Sequence, residues 1–166
     1  MIEKYENSKK NSLSYLVEQG GIHYALPGET ITEVLSNLLD CIPPHLIEHK
    51  KSLIEAILER EALMSTGIGR GIALPHPRNP LIDDEEKRCV VIAFLKNSIN
   101  WKAPDGKPVH TIILIISSSA KNHLQTLSHF NFLCQEEKFY WLLERHAARE
   151  EIIAAIREAE LKWQEI

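Results

Sequence analysis

The chain lacks the features that mark several common protein classes. It has only three cysteines in 166 residues, Cys41, Cys89 and Cys134. They form no CxxC pair, and each sits in an apolar or helix-like stretch. This argues against a disulfide framework and for buried free thiols in a reducing compartment. Long apolar runs are also missing. The longest, Val90 to Leu95 and Ile112 to Ile116, fall far short of the ~20 residues that span a bilayer. The polar stretch Met1 to Asn11 contains no apolar segment of the signal-peptide kind. An excess of positive charge is absent too: the formal charge is −4, shared evenly between residues 1–80 and 81–166. A nucleic-acid or polybasic membrane role therefore has no electrostatic support. The expected protein is soluble and cytoplasmic, peripheral to a membrane at most. What the chain does have is an ordinary globular balance, 44% apolar and 25% charged, together with eight histidines. Histidine titrates near neutral pH and can carry protons, metals or phosphoryl groups.

No internal repeat or low-complexity linker divides the sequence. It reads as a polar tail over residues 1–11 and one domain over 12–166. A short helix from Leu13 ends at Gly20-Gly21, and a strand follows through Ile22 to Leu26. Thr30 to Glu33 has the form of a capping box, in which each residue satisfies the other's backbone donor. It opens a helix with Ile31, Val34, Leu35, Leu38 and Leu39 on one face. Pro43-Pro44 stops that helix and starts a longer one carrying Leu46, Ile47, Leu53, Ile54, Ile57 and Leu58. Arg88 to Lys96 and Val109 to Ser117 read as strands buried on both faces, with a turn at Asp105-Gly106. Helical patterns cover about Lys121 to Gln135 and two further segments up to Gln164. Helices before, between and after buried strands predict an α/β fold with a mixed β-sheet sandwiched between helices on both faces.

The segment from Thr66 to His76, TGIGRGIALPH, is the most informative. As a dinucleotide fingerprint it fails, because Ile72 stands where the third glycine belongs and a helix, not a strand, precedes it. As a P-loop it fails for want of a terminal Gly-Lys-Ser/Thr. Its remaining capacity is to display His76 between Pro75 and Pro77, with glycines that turn the backbone and leave room above the ring. Two readings stay open from residue types alone: an imidazole poised as a phosphoryl nucleophile, or a surface histidine that merely follows a proline.

The run Leu58-Glu-Arg-Glu61, followed by Ser65 through His76, resembles the phosphorylation-site signature of enzyme IIA of the bacterial phosphotransferase system, in its fructose/mannitol and nitrogen-regulatory class. A second block, His123-Leu-Gln-Thr-Leu-Ser128, is similar to the helix that carries that family's other active-site histidine. The resemblance covers about Leu13 to Ala159 and implies the mannitol/fructose-type IIA fold. It implies that His76 accepts the phosphoryl group, as a tele-phosphohistidine, from HPr or its nitrogen-branch homologue. Arg60 looks like the arginine that neutralises phosphoryl charge, and His123 like the histidine that contacts the phosphoryl group or orients His76. Ser65 and Thr66 are neighbouring hydroxyl candidates for binding. The onward partner is a IIB component in a sugar-transport role, or target proteins in a regulatory one, with a non-phosphorylated binding module as the third reading. No cofactor and no metal is implied.

The chemistry is consistent with this. Phosphoryl transfer asks mainly for positioning and charge stabilisation, a guanidinium offers a planar donor fork, and His123 falls in the first turn of its predicted helix, where an anion is favoured. Simpler roles compete: Arg60 could pair with Glu61, and His123 could be a plain helix-surface residue. His45 and His49 are spaced four apart, as zinc ligands on a helix can be, but no third ligand is evident and they are expected to be solvated. Trp101, Trp141 and Trp163 are expected in packing roles. Two departures from the family pattern, Pro77-Arg-Asn-Pro80 after His76 and the compact Ser117 to Asn122 before His123, bear on which partner docks.

Overall fold

The computed structural model describes residues 10–164, so residues 1–9 of the expected tail lie outside it. The first helix, α1 (Leu13–Gly20), is capped by Ser12, whose hydroxyl accepts from the Tyr15 amide at 3.2 Å. Strand β1 (Ile22–Leu26) leads to α2 (Ile31–Asp40). At its start Thr30 Oγ1 accepts from the Glu33 amide at 3.2 Å. The reciprocal half of the expected box is displaced by one residue: Glu33 accepts from the Glu29 amide at 2.9 Å.

The next helix, α3, spans Lys50–Leu63, so the expected start at Pro43-Pro44 is corrected. Between α2 and α3 the chain makes turns, with the Leu46 amide bonded to the Pro43 carbonyl. Leu46 and Ile47 are nonetheless buried. Apolar residues that seal a core from a folded-back loop carry the same pattern as the first turns of a helix.

The glycine segment forms a small hairpin, β2 (Gly67–Gly69) with β3 (Ile72–Ala73), turned by Arg70 and Gly71 at φ 56° and 75°. Two long strands complete the sheet, β4 (Cys89–Ile99) and β5 (Val109–Ile116). The strand order is β1-β4-β5-β3-β2. β4 and β5 are antiparallel, while β1 runs parallel to β4 and β3 parallel to β5. Three helices follow: α4 (Ala120–Gln135), α5 (Glu137–Glu144) and α6 (Arg149–Gln164).

The unbroken apolar runs divide their side chains between two cores, because successive residues of a strand point to opposite faces. Cys89, Val91, Ala93, Ile112 and Leu114 pack with Leu35, Leu38, Leu39 and Ile57 of α2 and α3. Val90, Ile92, Phe94, Ile113 and Ile115 pack with α1, α4, α5 and α6 through Val17, Phe130, Phe139 and Ile152. The mixed sheet is thus covered by helices on both faces, as expected.

Three smaller expectations are corrected. Cys41 is exposed, while Cys89 and Cys134 are buried, and burial pushes both of those thiols up to about 12. Trp141 is 58% exposed, whereas Trp101 is fully enclosed. His45 and His49 precede α3 instead of sharing a helix face, and both are exposed.

Candidate functional site

Because β3 and β5 run parallel, the segments that leave them arrive at the same end of the sheet. Beyond β3 the chain stays in register, and the Ile115 amide bonds to the Pro75 carbonyl at 3.1 Å. That places His76 beside the last residues of β5. Beyond β5, Ser119 caps α4 by accepting from the Asn122 amide, and His123 follows one residue later. The two rings meet with centroids 4.7 Å apart, tilted by 46°.

His76 is buried, 6% exposed. Its Nδ1 lies 2.7 Å from the Leu74 carbonyl oxygen. A carbonyl only accepts, so Nδ1 carries the proton and Nε2 keeps its lone pair in the neutral ring. Burial holds the basicity of His76 below the ordinary histidine value, and the positive charge of Arg60 adds to this; the Leu74 bond and the Glu61 carboxylate oppose it. His123 is lowered further, to about 4, by burial, by His76 and by Arg60. Both rings are therefore held neutral at pH 7.

Arg60 sits in the last turn of α3, and its Nη1 donates to the Met64 carbonyl at 2.8 Å. It does not pair with Glu61. That carboxylate accepts instead from the Thr66 amide at 2.8 Å and from Thr66 Oγ1 at 2.5 Å. Among the described residues Arg60 joins no ion pair. Its field reaches both rings, and four of its five N–H donors remain uncommitted.

The hydroxyls of Ser65 and Thr66 are engaged within the fold. Ser65 Oγ donates to the Trp101 carbonyl at 2.7 Å, and Thr66 Oγ1 accepts from Trp101 Nε1 at 3.3 Å. The glycines also differ from expectation. A Cβ on Gly71 would lie 2.3 Å from the His110 ring, and one on Gly67 would lie 2.7 Å from Ala103 Cβ. Their smallness admits neighbouring side chains and does not clear space above His76.

Two contributors escape a reading of side-chain types. One is the Leu74 carbonyl, a backbone atom with no residue signature. The other is Glu61, which anchors the start of the hairpin. The remaining histidines lie elsewhere: His129 stacks on Trp163, while His110 and His146 are neighbours with ring centroids 5.9 Å apart, His146 stacking on Phe94 and His110 lying between Thr111 and the Glu144 carboxylate. Among the described residues, no group of three His, Cys, Asp or Glu is arranged to hold a metal ion.

The fold matches those of IIA proteins already solved. The nitrogen regulatory protein IIA-Ntr of Neisseria meningitidis superposes with a TM-score of 0.72 at 22% identity, covering 83% of this chain and 94% of that one. The mannitol IIA of Escherichia coli gives 0.63 at 20% identity, covering 82% and 96%. These likenesses define the fold class. Residues 16–159 match the family described as phosphoenolpyruvate-dependent sugar phosphotransferase system, EIIA 2, and the chain belongs to that family.

Its relatives carry two kinds of name. The nitrogen regulatory protein of Escherichia coli is 37% identical over 102 residues, which is 60% of this chain and 57% of that protein. The fructose-specific EIIA component of Haloferax volcanii is 31% identical over 105 residues, 61% and 66% of the two chains. The fructose-specific EIIABC component of Bacillus subtilis is 29% identical over 114 residues, 68% of this chain but 18% of that protein. In each case the match spans less than two thirds of the relative's length.

Proposed function

We propose that His76 accepts a phosphoryl group from the phosphohistidine of a small carrier, HPr or its nitrogen-branch homologue, and that the resulting state regulates target proteins. The observation that carries this reading is the hydrogen bond from His76 Nδ1 to the Leu74 carbonyl, which fixes the tautomer and leaves the Nε2 lone pair for attack. In the transfer, Nε2 forms a new N–P bond as the carrier's N–P bond breaks, and the released electron pair returns to the carrier's imidazole. The exchange is between like bonds and is near balance, so it draws on no nucleotide or redox group. The work left to the protein is alignment and charge stabilisation.

Each neighbour has a task in this scheme. Arg60 places its free donors toward the phosphoryl oxygens and offsets their charge. His123, neutral and beside His76, offers one ring N–H to the phosphoryl group or orients the nucleophile. Ser65 and Thr66 support the site through the hydrogen bonds that fix the loop ahead of the hairpin. A cytoplasmic location fits the exchange with a soluble carrier, and among the described residues no helix is long and apolar enough to cross a membrane.

The regulatory role is favoured by the 37% identity to the nitrogen regulatory protein of Escherichia coli. A second reading, delivery of the phosphoryl group to a IIB component in sugar transport, is favoured by the fructose-specific EIIA of Haloferax volcanii. The deciding experiment is incubation with enzyme I, carrier and phosphoenolpyruvate, followed by intact-mass measurement. The expected result is an acid-labile gain of one phosphoryl group that is absent in His76→Ala. No gain with either a sugar-branch or a nitrogen-branch carrier refutes the proposal and leaves a plain binding module. Loss of the group on adding IIB proteins selects transport; retention selects regulation.

A further inference from the structure

A cleft of about 420 Å³ opens at Arg60, and Arg78, two residues beyond His76, lines it as well. Glu59 supplies the one carboxylate among its lining residues, and the exposed side chains of Leu63 and Leu81 flank it. Neither arginine takes part in an ion pair among the described residues. Two guanidinium groups beside a single carboxylate leave the cleft net positive, and like charges gathered this way favour an anionic occupant. The exposed leucines add apolar area that a free inorganic anion cannot use but a protein segment can.

We infer that this cleft docks an acidic protein segment, a carboxylate flanked by an aliphatic side chain, and does so in the unphosphorylated state of His76. The dependence on phosphorylation rests on the acceptor reading above and follows from Arg60 serving both places. A phosphoryl group on His76 claims donors that would otherwise face the cleft, and its own charge, between −1 and −2, repels the incoming carboxylate. Arg78 stays in the cleft in either state and sets its charge preference. The partner is thereby selected by charge and released by phosphorylation.

The test uses the full chain and two fluorescently labelled peptides of equal length, one alternating Glu and Leu and the other alternating Gln and Leu. Fluorescence anisotropy is expected to give at least tenfold tighter binding of the Glu peptide. Arg78→Gln should lose about tenfold of that affinity, while Arg78→Lys retains most of it. Phosphorylating the protein with enzyme I, carrier and phosphoenolpyruvate, verified by intact mass, should weaken the peptide by tenfold or more. Equal affinity for the two peptides, an unaffected Arg78→Gln variant, or binding unchanged by phosphorylation would each overturn the inference. So would displacement of the peptide by millimolar inorganic phosphate, which marks a small-anion site. A chain that takes up no phosphoryl group refutes the acceptor reading and the switch together, whereas the peptide and Arg78 measurements judge the cleft by themselves.

Discussion

Replacing Arg60 with glutamine removes one charge from the site and leaves a shorter, uncharged polar side chain. Its consequence for the histidines can be bounded. His123 titrates at about 4 against an ordinary 6.5, and burial, His76 and Arg60 all act in that direction, Arg60 least. The smallest of three like-signed contributions is at most a third of the whole. Loss of the guanidinium therefore raises the His123 midpoint by no more than about 0.8, equivalent to about 1 kcal/mol. Water at the half-buried ring screens the charge and reduces this further. His76 should move up as well, since Arg60 depresses it too. The linkage has a definite sign. A histidine kept neutral by the fold leaves stability intact above pH 6.5 and erodes it as pH falls toward 4, because the unfolded chain takes up the proton first. In Arg60→Gln that acid-side loss is smaller by up to about 1 kcal/mol. The assay is an NMR titration of the imidazole Cε1–H signals, paired with urea unfolding at pH 7 and pH 4.5. Midpoints that stay put, or move down, refute the claim that the Arg60 charge acts on the two rings. Phosphoryl uptake by the same variant should slow about 100-fold, the typical cost of removing one aligned charge-stabilising donor.

The remaining predictions concern pH and packing. Phosphoryl acceptance by the wild-type chain should lose half its rate only at a pH below 6.5, since burial lowers the basicity of His76; a rate that halves at pH 6.5 or above, with the carrier held saturating, contradicts the assignment. Gly71→Ala should cost more than 2 kcal/mol in urea unfolding, combining a positive φ with a clash against the His110 ring, whereas Gly106→Ala, also at positive φ but with open space around it, should cost about 1–2 kcal/mol. Equal losses would show that the His110 contact is not tight. Trp101→Ala should cost about 3–5 kcal/mol and Trp141→Ala under about 0.5 kcal/mol, as their burial dictates, by the same measurement. Glu61→Ala should cost about 1–3 kcal/mol by stranding the Thr66 amide and hydroxyl, and hydrogen exchange at Thr66 should speed up accordingly.

The sheet and its two helical layers were legible because β4 and β5 carry the unbroken apolar runs Val90 to Leu95 and Ile112 to Ile116, and only a strand with cover on both faces tolerates that. The cap at Thr30 was legible, since capping is local chemistry. Leu46 and Ile47 misled because burial is a property of the fold and not of helical spacing. The glycines misled differently: sequence reveals a freedom of φ but not which neighbour presses on the absent Cβ, here His110 and Ala103. Trp141 shows the same limit, as an aromatic side chain does not announce whether anything covers it. The pairing of His76 with His123 was reachable only through the resemblance, because the parallel alignment of β3 with β5 that joins them is a long-range event. The Leu74 carbonyl was out of reach altogether.

That carbonyl has a consequence for how such a protein can vary. The group that orients His76 belongs to the main chain two residues upstream, held in line by the same strand pairing that holds the histidine. No single side-chain replacement can delete it. If His76 acts as proposed, its tautomer is insulated from the drift of surrounding side chains, and the positions after it can be exchanged without retuning the Nε2 nitrogen.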